Sequence, residues 1–386
     1  MPDTADVLII GGGVHGASLA FHLAQRGVKV TVLEKTFVAA GATGRSSGLV
    51  RMHYDTEIAS RLAWVSFQYF RNWRDMVGGE CGFTRTGFLQ IVDPGMEAAL
   101  RANVAMQQCI GIPTFLVTAD DVKRLAPTFA TDDFAVAAYE PESGYAMPSD
   151  TAGSLMAAAR RHGARLVQGC TVTAIHVAGG KVTGVSTDQG DFAAPVVVNA
   201  AGAWAGQINN LAGVDIPLNT WRHDTMFVVR PPEIGPSHPT VIDFANDMYF
   251  RPEGELTLVG LEDGNPLGDS PETEAGHALP GFVERAIERI CRRIPAMEQG
   301  RLQSAHGGYD GITPDQHPVL GAAGPAGFYL DCGHSGTGFK TAPAIGLCMA
   351  ELIVDGAAQT VDISPYAPGR FAAGQTVKGN YHNIWR

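Results

Sequence analysis

The stretch VLIIGGGVHGASLAFHLAQRGVKVTVLE, residues 7–34, constrains the fold more than any other part of the chain. An apolar run leads into G-x-G-x-x-G, supplied by Gly11, Gly13 and Gly16. Helical spacing then extends to Gly27, and an alternating strand ends at Glu34. Together these form a βαβ unit with an acidic residue where a ribose hydroxyl requires one. Gly11 permits the tight turn, Gly13 lets backbone approach a pyrophosphate, and Gly16 lets helix and strand pack closely. Val14 and His15 complete the fingerprint at a helix start whose free N–H groups favour negative charge. Glu34, followed by Lys35, disfavours a 2′-phosphate, which leaves FAD or NAD ahead of NADP.

The remaining composition narrows the partners. A chain of 386 residues suits two closely packed domains, and 17% charged residues against roughly 25% in ordinary soluble proteins implies a large buried interior. A formal charge of -11, with no basic run, argues against nucleic acid. The six cysteines form no C-x-x-C pair and share no spacing with histidines, so no metal site is expected and they read as free thiols. The opening MPDTADVLII has acids where a signal peptide needs bases, and its apolar run is broken by glycines, so no membrane span and a cytoplasmic location are expected. The last fifteen or so residues read as a tail.

Glycine-rich strand ends recur far from the first. TFVAAGATGRSSGLVRMHYD (36–55) encloses Arg45 and Arg51 in small residues; residues 164–207 run through strands to NAAGAW; GFYLDCGHSGTGFKTAPAIG (327–346) sets one lysine, Lys340, among glycines. A nicotinamide dehydrogenase would usually complete its nucleotide fold in one contiguous block, so dispersed corners favour FAD. Between them, residues 84–93, 222–232 and 248–260 alternate like antiparallel strands, and 272–294 reads as an amphipathic helix.

In order, LIIGGGVHGASLAFHLA with VTVLEK, GATGRSSGLVR, VVNAAGAW, GGYDGITPDQHPVLG and CGHSGTGFKTAPAIG resemble the D-amino-acid oxidase and glycine oxidase superfamily, closest to the branch of sarcosine oxidase β subunits and dimethylglycine dehydrogenases. The resemblance spans nearly the whole chain. It implies an α/β (α+β) fold: an interrupted Rossmann-like FAD-binding domain of glutathione-reductase type at 1–80, 145–215 and 300–386. An antiparallel-sheet substrate domain would be inserted at 81–144 and 216–300. It also implies a flavoenzyme that oxidises the C–N bond of an amino acid or N-alkyl amino acid by hydride transfer to flavin N5.

The matching positions carry over the site. Arg51 and Lys340 would clamp the substrate carboxylate, a guanidinium fork and a point ammonium in an apolar pocket. Tyr249 and Tyr54 are candidates for its aromatic wall, with His53 beside them and His334 nearby; each serves equally as core. The cofactor would meet Gly44, Arg45, Ser46, Ser47 and Gly48 of the second loop, Val172, then Ala201, Gly202 and Trp204 of NAAGAW. Gly308 and the turn Gly336, Thr337, Gly338, Phe339 and Lys340 would complete it.

Relatives attach flavin covalently at positions that align here with Arg45, with Gly307 or Gly308, and with Trp204; none can form the bond, so a single noncovalent FAD and no FMN are expected. Monomeric sarcosine oxidases keep a lysine over the flavin on a strand like GELTLVG, where the aligned residue is Thr257. O2 and another electron acceptor therefore both stay open. So do a catalytic subunit of a hetero-oligomer and a non-catalytic flavin-binding assembly protein. Substrate identity and the choice between monomer and oligomer are not legible.

Overall fold

A computed structural model describes residues 3–273 and 276–381. The opening unit forms as expected: strand Val7–Ile10, helix Val14–Gln25 and strand Val30–Glu34. The strands lie in a six-stranded sheet in the order Arg165–Gln168, Val30–Glu34, Val7–Ile10, Val196–Asn199, Phe328–Cys332, Val319–Ala322. The first five are parallel and the last antiparallel. Central strands covered on both faces read as unbroken apolar runs, which is why VLII and VVVN carry no alternation. Helix Val14–Gln25 packs against Pro148–Arg161 and Gly338–Asp355. Its close approach to the latter needs Gly346, where a Cβ would come within 2.2 Å of Ser18 Oγ.

A second, eight-stranded sheet runs Arg301–Ile312, Asn219–Val229, Leu256–Leu261, Met248–Glu253, Thr240–Asp243, Phe88–Ile91, Val136–Glu140, Phe115–Thr118. The expected antiparallel sheet holds at every junction but one, because Thr240–Asp243 pairs parallel with Phe88–Ile91. The two inserted segments meet there. No hairpin joins them, so nothing forces opposite directions. Arg301–Ile312 hydrogen-bonds along Asn219–Val229 in this sheet, so we move the proposed boundary from 300 to 312. The helix expected over 272–294 begins only at Phe282, after Pro280 and the left-handed Gly281 (φ 78°). Residues 274–275 of that stretch lie outside the described residues.

Arg251, buried on Met248–Glu253, donates to the Ser47 carbonyl and ties the large sheet to the second glycine-rich loop. The expected tail is also corrected. Val377 N donates to Asp315 Oδ2 at 3.1 Å, and Tyr381 is buried against Phe244, because its ring fills an apolar wall that includes Leu49, Phe88 and Tyr249. Residues 382–386 lie outside the described residues. No helix among those described is long and apolar enough to cross a membrane.

Candidate functional site

The dispersed glycine corners meet. Gly11 has φ 113°, and a Cβ there would lie 2.4 Å from Ala200 O, so the first turn touches the NAAGAW turn. A Cβ on Gly311 would lie 3.2 Å from Gly202 O and 3.6 Å from Gly333 Cα, and one on Gly338 would lie 2.8 Å from His15 Nε2. Helix Val14–Gln25 starts with no acid in its first turn and no side-chain cap on Gly13, although Val14 N takes Thr43 Oγ1 at 3.0 Å. Glu34 Oε2 accepts from Gly12 N at 2.6 Å and Oε1 from Thr36 N at 2.8 Å, which holds the carboxylate beside the turn.

Around this cradle the structure distributes the other sequence-selected residues unevenly. Gly44 and Gly48 are packed against carbonyls of Ala39 and Ala146, with Ser46 and Ser47 between them half-exposed. Arg45 donates to the Ala40 carbonyl, and its side chain covers Gly308, where a Cβ would meet Arg45 Cδ at 2.8 Å. Lys35 pairs with Glu272 at 2.7 Å and lies 5.3 Å above the Trp204 ring, whose Nε1 donates to the same carboxylate at 2.7 Å. Thr337 is turned inward onto the His334 carbonyl at 2.7 Å, and Gly336 N donates to Asp310 Oδ2 at 2.8 Å. The side chains of Val14, Val172 and Phe339 sit in the core, Phe339 with its ring 5.7 Å from that of Phe70.

His15 and His334 stack at 3.5 Å with an 11° interplanar angle, and both face Asp331, at 3.3 and 3.1 Å. Three buried residues of metal-ligating type lie close enough to suggest a metal. Yet nearly parallel rings 3.5 Å apart share no in-plane point at coordination distance, so the cluster is a carboxylate oxygen beside a stacked imidazole pair. Gly338 O can only accept, so His15 Nε2, at 3.0 Å, carries a proton. Burial opposes ionisation of Asp331, but the adjacent His15 and His334 favour its charged form and hold its carboxyl well below the usual range.

Beyond the cradle lies a buried charged pocket. Arg51, 5% exposed, donates to the His53 carbonyl and stacks 4.3 Å over the Tyr54 ring and 5.8 Å over Phe88. Its Nε has no hydrogen-bond partner among the described residues. Lys340 Nζ reaches the Gly336 carbonyl at 3.5 Å and lies 5.9 Å from the Tyr54 ring. Burial first, and the Arg51 charge second, drive its ammonium well below the ordinary lysine value; Glu262 and Asp310 oppose this. Tyr249 lies across Gly260, where a Cβ would come within 2.2 Å of its Cζ, and burial pushes its phenol strongly up.

A sequence model of the family described as FAD dependent oxidoreductase (DAO) matches residues 6–352. This chain belongs to the DAO family. Mouse mitochondrial sarcosine dehydrogenase is 29% identical over 371 residues, which cover 92% of this chain but 40% of that protein. The chain therefore spans about two fifths of that relative. Sarcosine oxidase subunit beta from an Arthrobacter species is 26% identical, covering 96% of this chain and 92% of the subunit. The crystal structure of L-proline dehydrogenase from P. horikoshii superposes with a TM-score of 0.90 at 28% identity, covering 97% and 99% of the two chains. The cradle fits the DAO cofactor: the acid-free helix start suits a pyrophosphate, Glu34 suits a ribose, and the bare corners would clash with any Cβ.

Within this DAO-family pocket, two expectations are corrected. Thr257 does not face the site. Its hydroxyl pairs with His238 Nε2 at 2.9 Å on the face of the sheet opposite Gly260, since residues three apart on a strand point oppositely. Leu258 and Gly260 occupy the site side, so this strand still brings no lysine there. His53 is closed off behind the aromatic wall: burial, with Arg51 adding to it, lowers its pKa to about 3, and its Nε2 bonds Tyr381 OH at 2.8 Å. Tyr381→Phe should leave that buried nitrogen unpartnered and cost about 1–3 kcal/mol in urea unfolding, with flavin content unchanged.

Three residues escaped sequence reasoning. Glu140 is fully buried, accepting from Met52 N at 2.9 Å and Ser143 Oγ at 2.6 Å, and so fixes the backbone next to Arg51. Burial pushes it up to about 7. His223 keeps both ring nitrogens without partners among the described residues, its ring 6.4 Å from Tyr249. Glu262 is buried at the end of Leu256–Leu261. For the two glutamates the only sequence signal is a carboxylate that closes or follows an apolar strand, in VAAYE and LVGLE; His223 carries none.

Proposed function

We propose that this chain oxidises the C–N bond of an amino acid or N-alkyl amino acid, its carboxylate gripped by Arg51 and Lys340, with a noncovalently held FAD. Bound FAD supplies the two-electron sink that accepts hydride from the substrate carbon. Gly11, Gly13, Gly16 and Glu34 would hold its nucleotide end, and the Gly336–Gly338 turn would lie along its ring.

The observation that carries this reading is a buried guanidinium and a buried lysine amine beside one aromatic ring, with Arg51 Nε unpartnered and neither side chain ion-paired with a carboxylate among the described residues. Burying such charges is costly unless an anion arrives between them. A carboxylate there restores the protonated form of Lys340 by supplying the opposite charge that burial leaves missing. Tyr54, Phe88 and Tyr249 exclude water from the same space.

Anaerobic mixing with a panel of N-methylglycine, proline and D-alanine tests the proposal. Bleaching of the flavin by at least one amine supports it, and a panel that leaves the spectrum untouched defeats it. Attachment is tested separately. Arg45, Gly308 and Trp204 offer no nucleophile, so acid precipitation should give a colourless pellet and a yellow supernatant; a yellow pellet would refute noncovalent binding. The match over 92% of an oxidase subunit also favours a catalytic-subunit reading, in which the purified chain bleaches normally but reoxidises slowly in air.

A further inference from the structure

The following rests on the carboxylate clamp proposed above and adds a base to it. Glu262 follows strand Leu256–Leu261, and its backbone N–H donates to Asp247 O at 2.8 Å. Its side chain is 6% exposed, and Oε2 has no hydrogen-bond partner among the described residues. Two residues before it, Gly260 lies under the Tyr249 ring, and Tyr249 shares an apolar wall with Phe88, over which Arg51 stacks; the charges of Arg51 and Lys340 act on the Glu262 carboxylate. Asp247 and Asp263 are its acidic neighbours: the Asp263 carboxylate is held by Arg289 through paired contacts of 2.7 Å, and Asp247 is exposed to solvent, with its backbone carbonyl bound by Arg289 at 3.0 Å. Asp310, near Lys340, is occupied by Gly336 N and Gly311 N, each at 2.8 Å. Glu262 thus offers a buried, unengaged carboxylate oxygen two residues beyond Gly260, which lies under Tyr249, whereas the Glu140 carboxylate is already bound by Met52 N and Ser143 Oγ.

An α-amino acid zwitterion complements that layout. Its carboxylate suits Arg51 and Lys340, and its ammonium, one carbon away, suits an acceptor across the same space. We propose that Glu262 Oε2 binds the substrate ammonium and takes one proton from it, so that the neutral amine is the form oxidised. In this step an N–H bond breaks and an O–H bond forms on Glu262; the electron pair stays on nitrogen and no electron is transferred. Burial pushes the Glu262 carboxyl up to about 7, against the opposing charges of Arg51 and Lys340, which matches its affinity for a proton to neutral working pH. The acceptor form is therefore present above about pH 7 and lost below it.

Holoenzyme carrying Glu262→Gln is compared with wild type in anaerobic flavin bleaching by the fastest amine of the panel, across pH 6–10, together with acetate titrations read by flavin absorbance. Acetate has a carboxylate and no amine. The expected result is a bleaching rate about a hundredfold lower at pH 7 that recovers toward alkaline pH, where free amine is supplied by the solvent, with acetate affinity undiminished. Glu262→Asp should restore part of the neutral-pH rate, which separates loss of the base from loss of folding. Superimposable pH profiles for wild type and Glu262→Gln would overturn the role of Glu262 while leaving the clamp intact. Failure of wild type to bind acetate, or of every panel amine to bleach it, would overturn the clamp and this role with it.

Discussion

Arg51→Ala should remain yellow yet lose bleaching by amino acids by about two to three orders of magnitude. The guanidinium is buried, stacked on Tyr54 and tethered to the His53 carbonyl, so removing it leaves a substrate carboxylate in a dry site with half its counter-charge gone. Breaking a buried charge pair costs about 3–5 kcal/mol, and each 1.4 kcal/mol is about tenfold. Lys340→Met should weaken acetate binding in the same direction. The double variant should fall short of the summed effect, because both cations hold one anion. Stopped-flow bleaching at several amine concentrations measures the loss, and a rate within about threefold of wild type at Arg51→Ala would remove the clamp from consideration. Glu140→Gln is a useful companion, since it keeps the side-chain shape beside Met52 while removing a buried carboxylate that interacts with the Arg51 charge.

Gly11→Ala should yield colourless protein. Its φ of 113° is strained for any L side chain, and the added methyl would stand 2.4 Å from Ala200 O, backbone that cannot swing aside. Relief requires separating the first turn from the NAAGAW turn, and the cofactor cradle is that contact. Far-UV circular dichroism should stay close to wild type while absorbance near 450 nm disappears, even after incubation with excess FAD. Gly206→Ala is the internal control: no neighbour stands within 4 Å of the new Cβ and the residue is in a helix, so the change should be neutral or slightly stabilising. Normal flavin content in Gly11→Ala would mean that the two turns need not touch.

Much of the nucleotide half was legible because its signals are local. VLII, the glycine spacing and Glu34 each act within thirty residues of one another, and the bends they require can be satisfied only by the residue types present. Arg51 and Lys340 were legible through motif resemblance, and the structure sets both beside Tyr54. The large sheet was legible as strands but not as an order. The parallel junction of Thr240–Asp243 with Phe88–Ile91 joins residues about 150 positions apart, and no turn sequence encodes it. Thr257 shows the same limit within a single strand, since an error of one residue in alignment exchanges the site face for the core face.

By itself, then, the sequence determined the βαβ opening, its acidic terminus and the presence of two cations on glycine-rich loops, since these depend on backbone conformations set by neighbours along the chain. Only the tertiary structure decided that Glu262 is buried with an unpartnered carboxylate oxygen, that Tyr381 returns to close the wall behind His53, and that Thr257 turns away. Burial and charge are properties of the space between distant segments. A glutamate after an apolar strand looks the same in sequence whether it ends in water or opposite an arginine.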